Sequence, residues 1–276
     1  MIPYIEIPPL FHIIHSFGVL VAIGILVGAR VSRFRAAQLG LDDRMVQSAA
    51  TWVVVVGFIV GHVFDVIAYR PRELLSDHWY VIFEPWAGLS SFGGFLGALI
   101  GIVWWSRKYN MPLLAYADSI LFGLAPGWTF GRLGCFSAHD HPGKITDFWL
   151  AVKYPDVAPH ARHDLGLDEA IFAAGLTALF VILYKWKSQR IGTYAALTCI
   201  LYPPVRFLMD FLRRTDGVES DPRYFGLTPA QYGAVMLFVA GLFIAARAWR
   251  QPNRYTPPAP VEVPAEAGPS KKRRKK

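Results

Sequence analysis

Long apolar runs alternate with short polar segments along this chain, and seven of the runs approach membrane-crossing length. A helix needs about 20 predominantly apolar residues to cross the hydrocarbon of a bilayer. Segments of that order fall at roughly 10–31, 47–68, 87–106, 113–131, 168–186, 191–212 and 229–248. The pattern predicts an all-α, polytopic membrane protein with seven transmembrane helices in residues 1–250, followed by a tail at 251–276. Basic residues set the orientation, because Lys and Arg collect on the cytoplasmic side. With the N-terminus outside, Arg30, Arg33, Arg35, Arg44, Arg107, Lys108, Lys185, Lys187, Arg190 and the basic tail all fall inside. The C-terminus is then cytoplasmic. The segment before the first run has no Lys or Arg, so it lacks the basic start of a cleaved signal peptide.

Composition agrees with this class. Hydrophobic residues make up 54% of the chain and charged residues 17%, against about a quarter charged in soluble domains. The net charge of +8 suggests nucleic acid only at first sight, since six of those charges are Lys271, Lys272, Arg273, Arg274, Lys275 and Lys276. The Pro- and Ala-rich stretch before them has no periodicity, and the tail is expected to be disordered and drawn to anionic head groups on the inner face. No nucleic-acid role is expected. Two cysteines, Cys135 and Cys199, make no disulfide framework, and no metal or cofactor is expected.

Polar chemistry concentrates in a few places. Gly131–Gly143 reads Gly-Arg-Leu-Gly-Cys-Phe-Ser-Ala-His-Asp-His-Pro-Gly and opens an outward loop at 132–166. It reads either as a solvated connection or as a site for an anionic group at the membrane surface. The loop is long for a helical connection, and its aromatic pair Phe148 and Trp149 argues for order. Gly93, Gly97 and Gly101 recur every fourth residue, as close helix packing requires. The Ser-Ser-Phe-Gly-Gly opening of that run could also present bare amides of Gly93 and Gly94 to an anion. His12, His15, the His62–Asp65 pair and Asp118 are membrane-buried polar groups that require partners. In the sixth run Tyr202, Arg206 and Asp210 share one helix face, extended by Arg213. That face reads as a self-neutralising Arg206–Asp210 pair or as part of a ligand site. Burying an arginine centrally costs about 2.5 kcal/mol or more, so it is seldom idle.

With Gly131-Arg132-x-Gly134-x-Phe136, the glycine-rich third run and Tyr202-x-x-x-Arg206-Phe207-x-x-Asp210 in view, the chain resembles the bacterial prolipoprotein diacylglyceryl transferases. The resemblance spans the chain from the first run to the seventh. It implies a seven-span inner-membrane enzyme moving the diacylglyceryl group of phosphatidylglycerol to the lipobox cysteine thiol of a prolipoprotein signal peptide. The family pattern has asparagine where this chain has Cys135 and Ala138, and glutamate at Asp140 and Asp210. It has histidine at Phe92 and tyrosine at Phe17.

The resemblance implies a lipid site of Arg132, Gly131, Gly134, Gly93, Gly94, Tyr202, Arg206 and Asp210. Guanidinium groups suit a phosphodiester because their paired donors match its oxygens and stay charged. A free thiol ionises with a pKa of about 8.5, so a neighbouring base raises its reactivity. With phenylalanine at position 92, His139, Asp140 or His141 is the candidate base, and Arg132 and Arg206 complete the catalytic set. Two other readings stay open: a diverged phospholipid-using transferase with another acceptor, and a non-catalytic protein that binds anionic lipid.

Overall fold

A computed structural model describes residues 1–5, 7, 15–84, 88–185, 189–214 and 223–252. His12 and residues 253–276 of the expected tail lie outside them. Among the described residues, seven long helices follow in order: α1 Ser16–Leu39, α2 Asp43–Tyr69, α4 Ser91–Tyr109, α5 Leu113–Ala138, α6 Leu165–Lys185, α7 Thr193–Met209 and α8 Pro229–Ala248. A four-residue helix α3 (Pro71–Leu74) and a 3-10 turn (Trp79–Phe83) lie between α2 and α4. Helices α1, α2, α6, α7 (carried to Leu212 by a 3-10 turn) and α8 are long and apolar enough to cross a membrane. Glycines and serines dilute α4, and Asp118 and Arg132 interrupt α5. The outer faces are greasy. Leu26 and Phe243 are 71% and 73% exposed, as on helices facing lipid rather than water.

Glycines set the helix pairing. Helix α1 packs chiefly on α5, and α2 on α4. A Cβ on Gly24 would lie 2.6 Å from the Gly127 carbonyl of α5, and one on Gly127 would lie 2.8 Å from that of Gly24. Gly93, Gly97 and Gly101 meet α2 in the same way, so the four-residue repeat is a packing face. Pro203 has no N–H for the Cys199 carbonyl, and Gly241 of α8 packs against that oxygen.

The two ends of the helix layer are knitted differently. At one end Asp118 of α5 pairs with Arg35 of α1 at 3.1 Å, both buried. Its other oxygen accepts from the amides of Tyr194 and Ala195 at 2.8 and 3.1 Å, which caps α7. Asp118 thus finds the partners that its burial requires and ties three helices together.

At the other end the chain departs from an all-α protein. Strands β1 (Ile2–Pro3), β2 (Pro142–Ile145), β3 (Val152–Lys153) and β4 (Arg162–Asp164) form one sheet in the order β1-β3-β4-β2. β1 runs parallel to β3, and the other pairs are antiparallel. A bridge from Gly143 to Arg213 joins the sheet to the end of α7. The order expected of this loop is present, but Phe148 and Trp149 are exposed. Buried Arg162 does that work, donating to the Gly143 carbonyl at 3.1 Å. The loop is also shorter than 132–166, because α5 stays helical through Ala138. Its polar groups find buried partners, so helix geometry survives a composition that reads as a connection.

Replacing Gly97 with Val should lower the thermal midpoint of the detergent-solubilised protein, since a Cβ there would lie 2.6 Å from the Val56 carbonyl. Overpacking of this kind costs about 1–3 kcal/mol. Gly175→Ala, where nothing lies within 4 Å, should leave the midpoint unchanged or slightly higher.

Candidate functional site

The last turns of α5 carry Trp128, Arg132 and Cys135 on one face, and α6 and α7 close against it. At the centre is Glu169 of α6, which is buried. Its Oε2 lies 3.1 Å from a terminal nitrogen of Arg132. Its Oε1 accepts from the Trp128 indole at 2.9 Å and the Tyr202 hydroxyl at 2.7 Å. The Arg132 guanidinium also lies 4.7 Å over the Trp128 ring, which suits a cation. Its other terminal nitrogen is 3.7 Å from the Cys135 sulfur, and its buried Nε has no hydrogen-bond partner. Phe95 of α4 packs on both Trp128 and Tyr202 with ring centroids 5.6 Å apart, drying this side of the cluster.

Arg206 continues the cluster one turn along α7. It donates to Asp210 at 2.8 Å, so the expected pair is formed. Asp210 is shared: Arg213 lies 3.2 Å from the same oxygen, and the Thr228 hydroxyl bonds the other. Glu169 also feels the charge of Arg206, which links the two halves of the cluster. Three guanidinium groups (Arg132, Arg206 and Arg213) thus meet two carboxylates, Glu169 and Asp210. Arg132 and Arg206 are both buried, and the Arg132 Nε reaches no hydrogen-bond partner, so the cluster keeps donor capacity that suits an anion.

The sheet side holds the loop residues. His139 caps α5 in the left-handed conformation, with φ 51°, and turns the chain back over the helix end. Its ring stacks on Tyr4 at 4.3 Å, and its Nδ1 lies 2.9 Å from Asp164. The same Asp164 oxygen accepts from Tyr154 at 2.8 Å, and its other oxygen accepts from the Leu167 amide at 3.1 Å. Burial, and then the negative charge of Asp164, push the Tyr154 phenol above its ordinary value. His139 is therefore built into the joint between loop and α6. Asp140 and His141 contact one another near the surface. One ligand atom from each, together with the Cys135 sulfur, forms a group within 4.8 Å.

The structure gathers Arg132, Tyr202, Arg206 and Asp210, but it gives the glycines other surroundings. The Gly93 and Gly94 amides are taken by the side-chain and main-chain oxygens of Ser90, at 3.2 and 2.9 Å. They are not bare. Gly134 packs on Phe17 of α1, and Gly131 borders open space. Asp65 finds its partner in Arg70 at 2.7 Å, and the His62 ring bonds the Gly88 and Ile82 carbonyls. Glu169 is the residue that sequence reading passed over. Its signal was charge balance, since a buried Arg132 demands a carboxylate and a membrane-spanning helix seldom holds one without a partner.

A family model described as prolipoprotein diacylglyceryl transferase matches residues 4–247. Curated relatives carry the name phosphatidylglycerol–prolipoprotein diacylglyceryl transferase. The protein of Chromohalobacter salexigens is 30% identical over 243 residues, covering 87% of this chain and 90% of the relative. That of Pseudomonas putida is 30% identical over 275 residues, covering 92% and 97%. That of Nitratidesulfovibrio vulgaris is 27% identical over 234 residues, covering 84% and 88%.

Replacing Glu169 with Leu should strand the buried Arg132 and destabilise the protein by about 3–5 kcal/mol. The double variant Arg132→Met, Glu169→Leu should recover most of that loss. A thermal double-mutant cycle in detergent checks both values, and simple additivity would show that the pair is not coupled.

Proposed function

The chain belongs to the prolipoprotein diacylglyceryl transferase family, and from that premise we propose how its residues carry out the transfer. The substrate is phosphatidylglycerol, and the acceptor is the lipobox cysteine thiol of a prolipoprotein signal peptide. The enzyme sits in the bacterial inner membrane with seven spans, its N-terminus and the 139–164 connection outside, and its basic tail in the cytoplasm. The alternation of the long helices supports that arrangement, since the N-terminal strand shares a sheet with the 139–164 connection.

The observation that carries the reading is the buried pair of guanidinium groups, Arg132 and Arg206, gathered around Glu169 with the Arg132 Nε lacking a hydrogen-bond partner. A phosphodiester oxygen suits such a donor. During transfer the acceptor sulfur bonds the terminal glyceryl carbon, and the carbon–oxygen bond to phosphate breaks. The electron pair leaves with glycerol phosphate, whose charge rises by one. Fixed guanidinium donors in a dry cluster stabilise that growing charge. Gly131, with open space beside it, leaves room for the head group. Asp140 and His141, paired just beyond the end of α5, are the polar groups placed beside the acceptor thiol. His139 positions this turn through Asp164 rather than touching the reacting atoms.

A second reading keeps the lipid site and changes the acceptor. Phe92 favours it: the ring packs on Phe64 at 4.9 Å and abuts Gly233, occupying the start of α4 with an apolar group.

Arg132→Lys and Arg206→Lys should each lower transfer by about 10²-fold or more, as expected for loss of a fixed donor to a developing anion. Vesicles of phosphatidylglycerol with a lipobox peptide supply the assay, and thermal midpoints confirm folding. Near wild-type rates in both variants would remove the arginines from the mechanism. Complementation of a transferase-depleted bacterium separates the acceptors. Head-group release without peptide modification would favour the second reading, and no release at all would leave a lipid-binding protein.

A further inference from the structure

The route by which the acceptor thiol is activated is open in this chain, because phenylalanine at position 92 cannot take a proton. Three side chains at the end of α5 offer another route. The Cys135 sulfur, one carboxylate oxygen of Asp140 and one ring nitrogen of His141 all lie within 4.8 Å of one another. The local fold builds this group. Cys135 is in the last helical turns, and the left-handed His139 reverses the chain so that the next two residues lie back over it. Cys135 is buried, whereas Asp140 and His141 are partly open to solvent, so the group has a closed floor and an accessible side.

We propose that Cys135, Asp140 and His141 form a divalent-metal site of the zinc class whose open position binds the acceptor thiol. The donor set is the one a borderline-soft cation takes: thiolate, imidazole and carboxylate. Three protein ligands leave the fourth tetrahedral position free, as in sites that perform chemistry. A thiolate and a carboxylate together cancel the two charges of the ion. The charge of nearby Arg132 is already balanced by Glu169 at 3.1 Å, which limits repulsion.

The site deepens the transferase reading and, in its catalytic role, rests on it. A coordinating thiol is deprotonated outright, so the acceptor binds as a thiolate and its proton passes to water. That sulfur then forms the carbon–sulfur bond while the carbon–oxygen bond to phosphate breaks, and the electron pair leaves on glycerol phosphate. The thioether product is neutral and a poorer ligand, so it departs. No oxidant or reductant is involved.

Full-length protein in detergent, stripped with a chelator and titrated with Co²⁺, tests the site directly. One ion per chain should bind, with a sulfur-to-cobalt charge-transfer band in the near ultraviolet and visible bands of tetrahedral intensity. Zn²⁺ should displace it. Cys135→Ser should lose the charge-transfer band, and His141→Ala should weaken binding at least tenfold, with metal-free thermal midpoints equal to wild type. A lipobox peptide should strengthen the charge-transfer band by adding a second sulfur, and its Cys→Ser version should not. Absence of a band, or a band unchanged in Cys135→Ser, overturns the site. Full transfer by chelated, metal-free protein overturns its catalytic role and leaves the transferase reading intact. Metal binding with no transfer under any metal load would instead sink the transferase reading while keeping the site.

Discussion

A carboxylate surrounded by three donors is the constraint on which this structure depends. Glu169 binds Arg132, Trp128 and Tyr202 at once, and so joins α5, α6 and α7 at one point. In a membrane, apolar side chains gain little by leaving lipid for one another, so polar contacts and close packing fix the relation between helices. Glycine contacts supply the packing for α1 with α5 and for α2 with α4. Buried ion pairs and hydrogen bonds add a polar joint among α5, α6 and α7. The same pairs then hold two arginines in fixed directions, which is what recognition of a phosphodiester requires.

The second consequence is that buried charge is gathered at both ends of the helix layer. Asp118 and Arg35 neutralise one another at one end and cap α7. At the other end two buried arginines, Arg132 and Arg206, share one cluster with Glu169 and Asp210. Both networks stabilise α7, but among the described residues only the second brings two buried guanidinium groups together. The left-handed turn at His139 brings Asp140 and His141 back beside Cys135 at the edge of that cluster. On the proposed reading, lipid site and thiol chemistry are neighbours because one helix, α5, ends where both begin.

Much of this was legible before the structure. Apolar runs located the seven long helices, since helix length in a bilayer is set by its thickness. The spacing of Gly93, Gly97 and Gly101 announced a packing face, and the spacing of Tyr202, Arg206 and Asp210 a polar one. The rest required tertiary contacts. Arg132 and Gly134 read as loop by composition, yet partners on α6 and α1 keep them helical. Glu169 stood next to Asp168 at a span entrance, and nothing local told which of the two acids faced inward. Strands of two to four residues are too short to show alternation, so the sheet around β3 left no periodic trace. The amides of Gly93 and Gly94 looked available because the capping role of Ser90 depends on side-chain orientation.

The central claim is that the buried arginine pair around Glu169, Arg132 and Arg206, selects an anionic phospholipid, and native mass spectrometry tests it most directly. Protein incubated with equal amounts of phosphatidylglycerol and phosphatidylcholine of the same acyl chains should retain one phosphatidylglycerol per chain. Arg206→Gln should lose that preference while keeping its fold. Equal retention of the two lipids by wild-type protein, or an undiminished preference in the variant, would contradict the account.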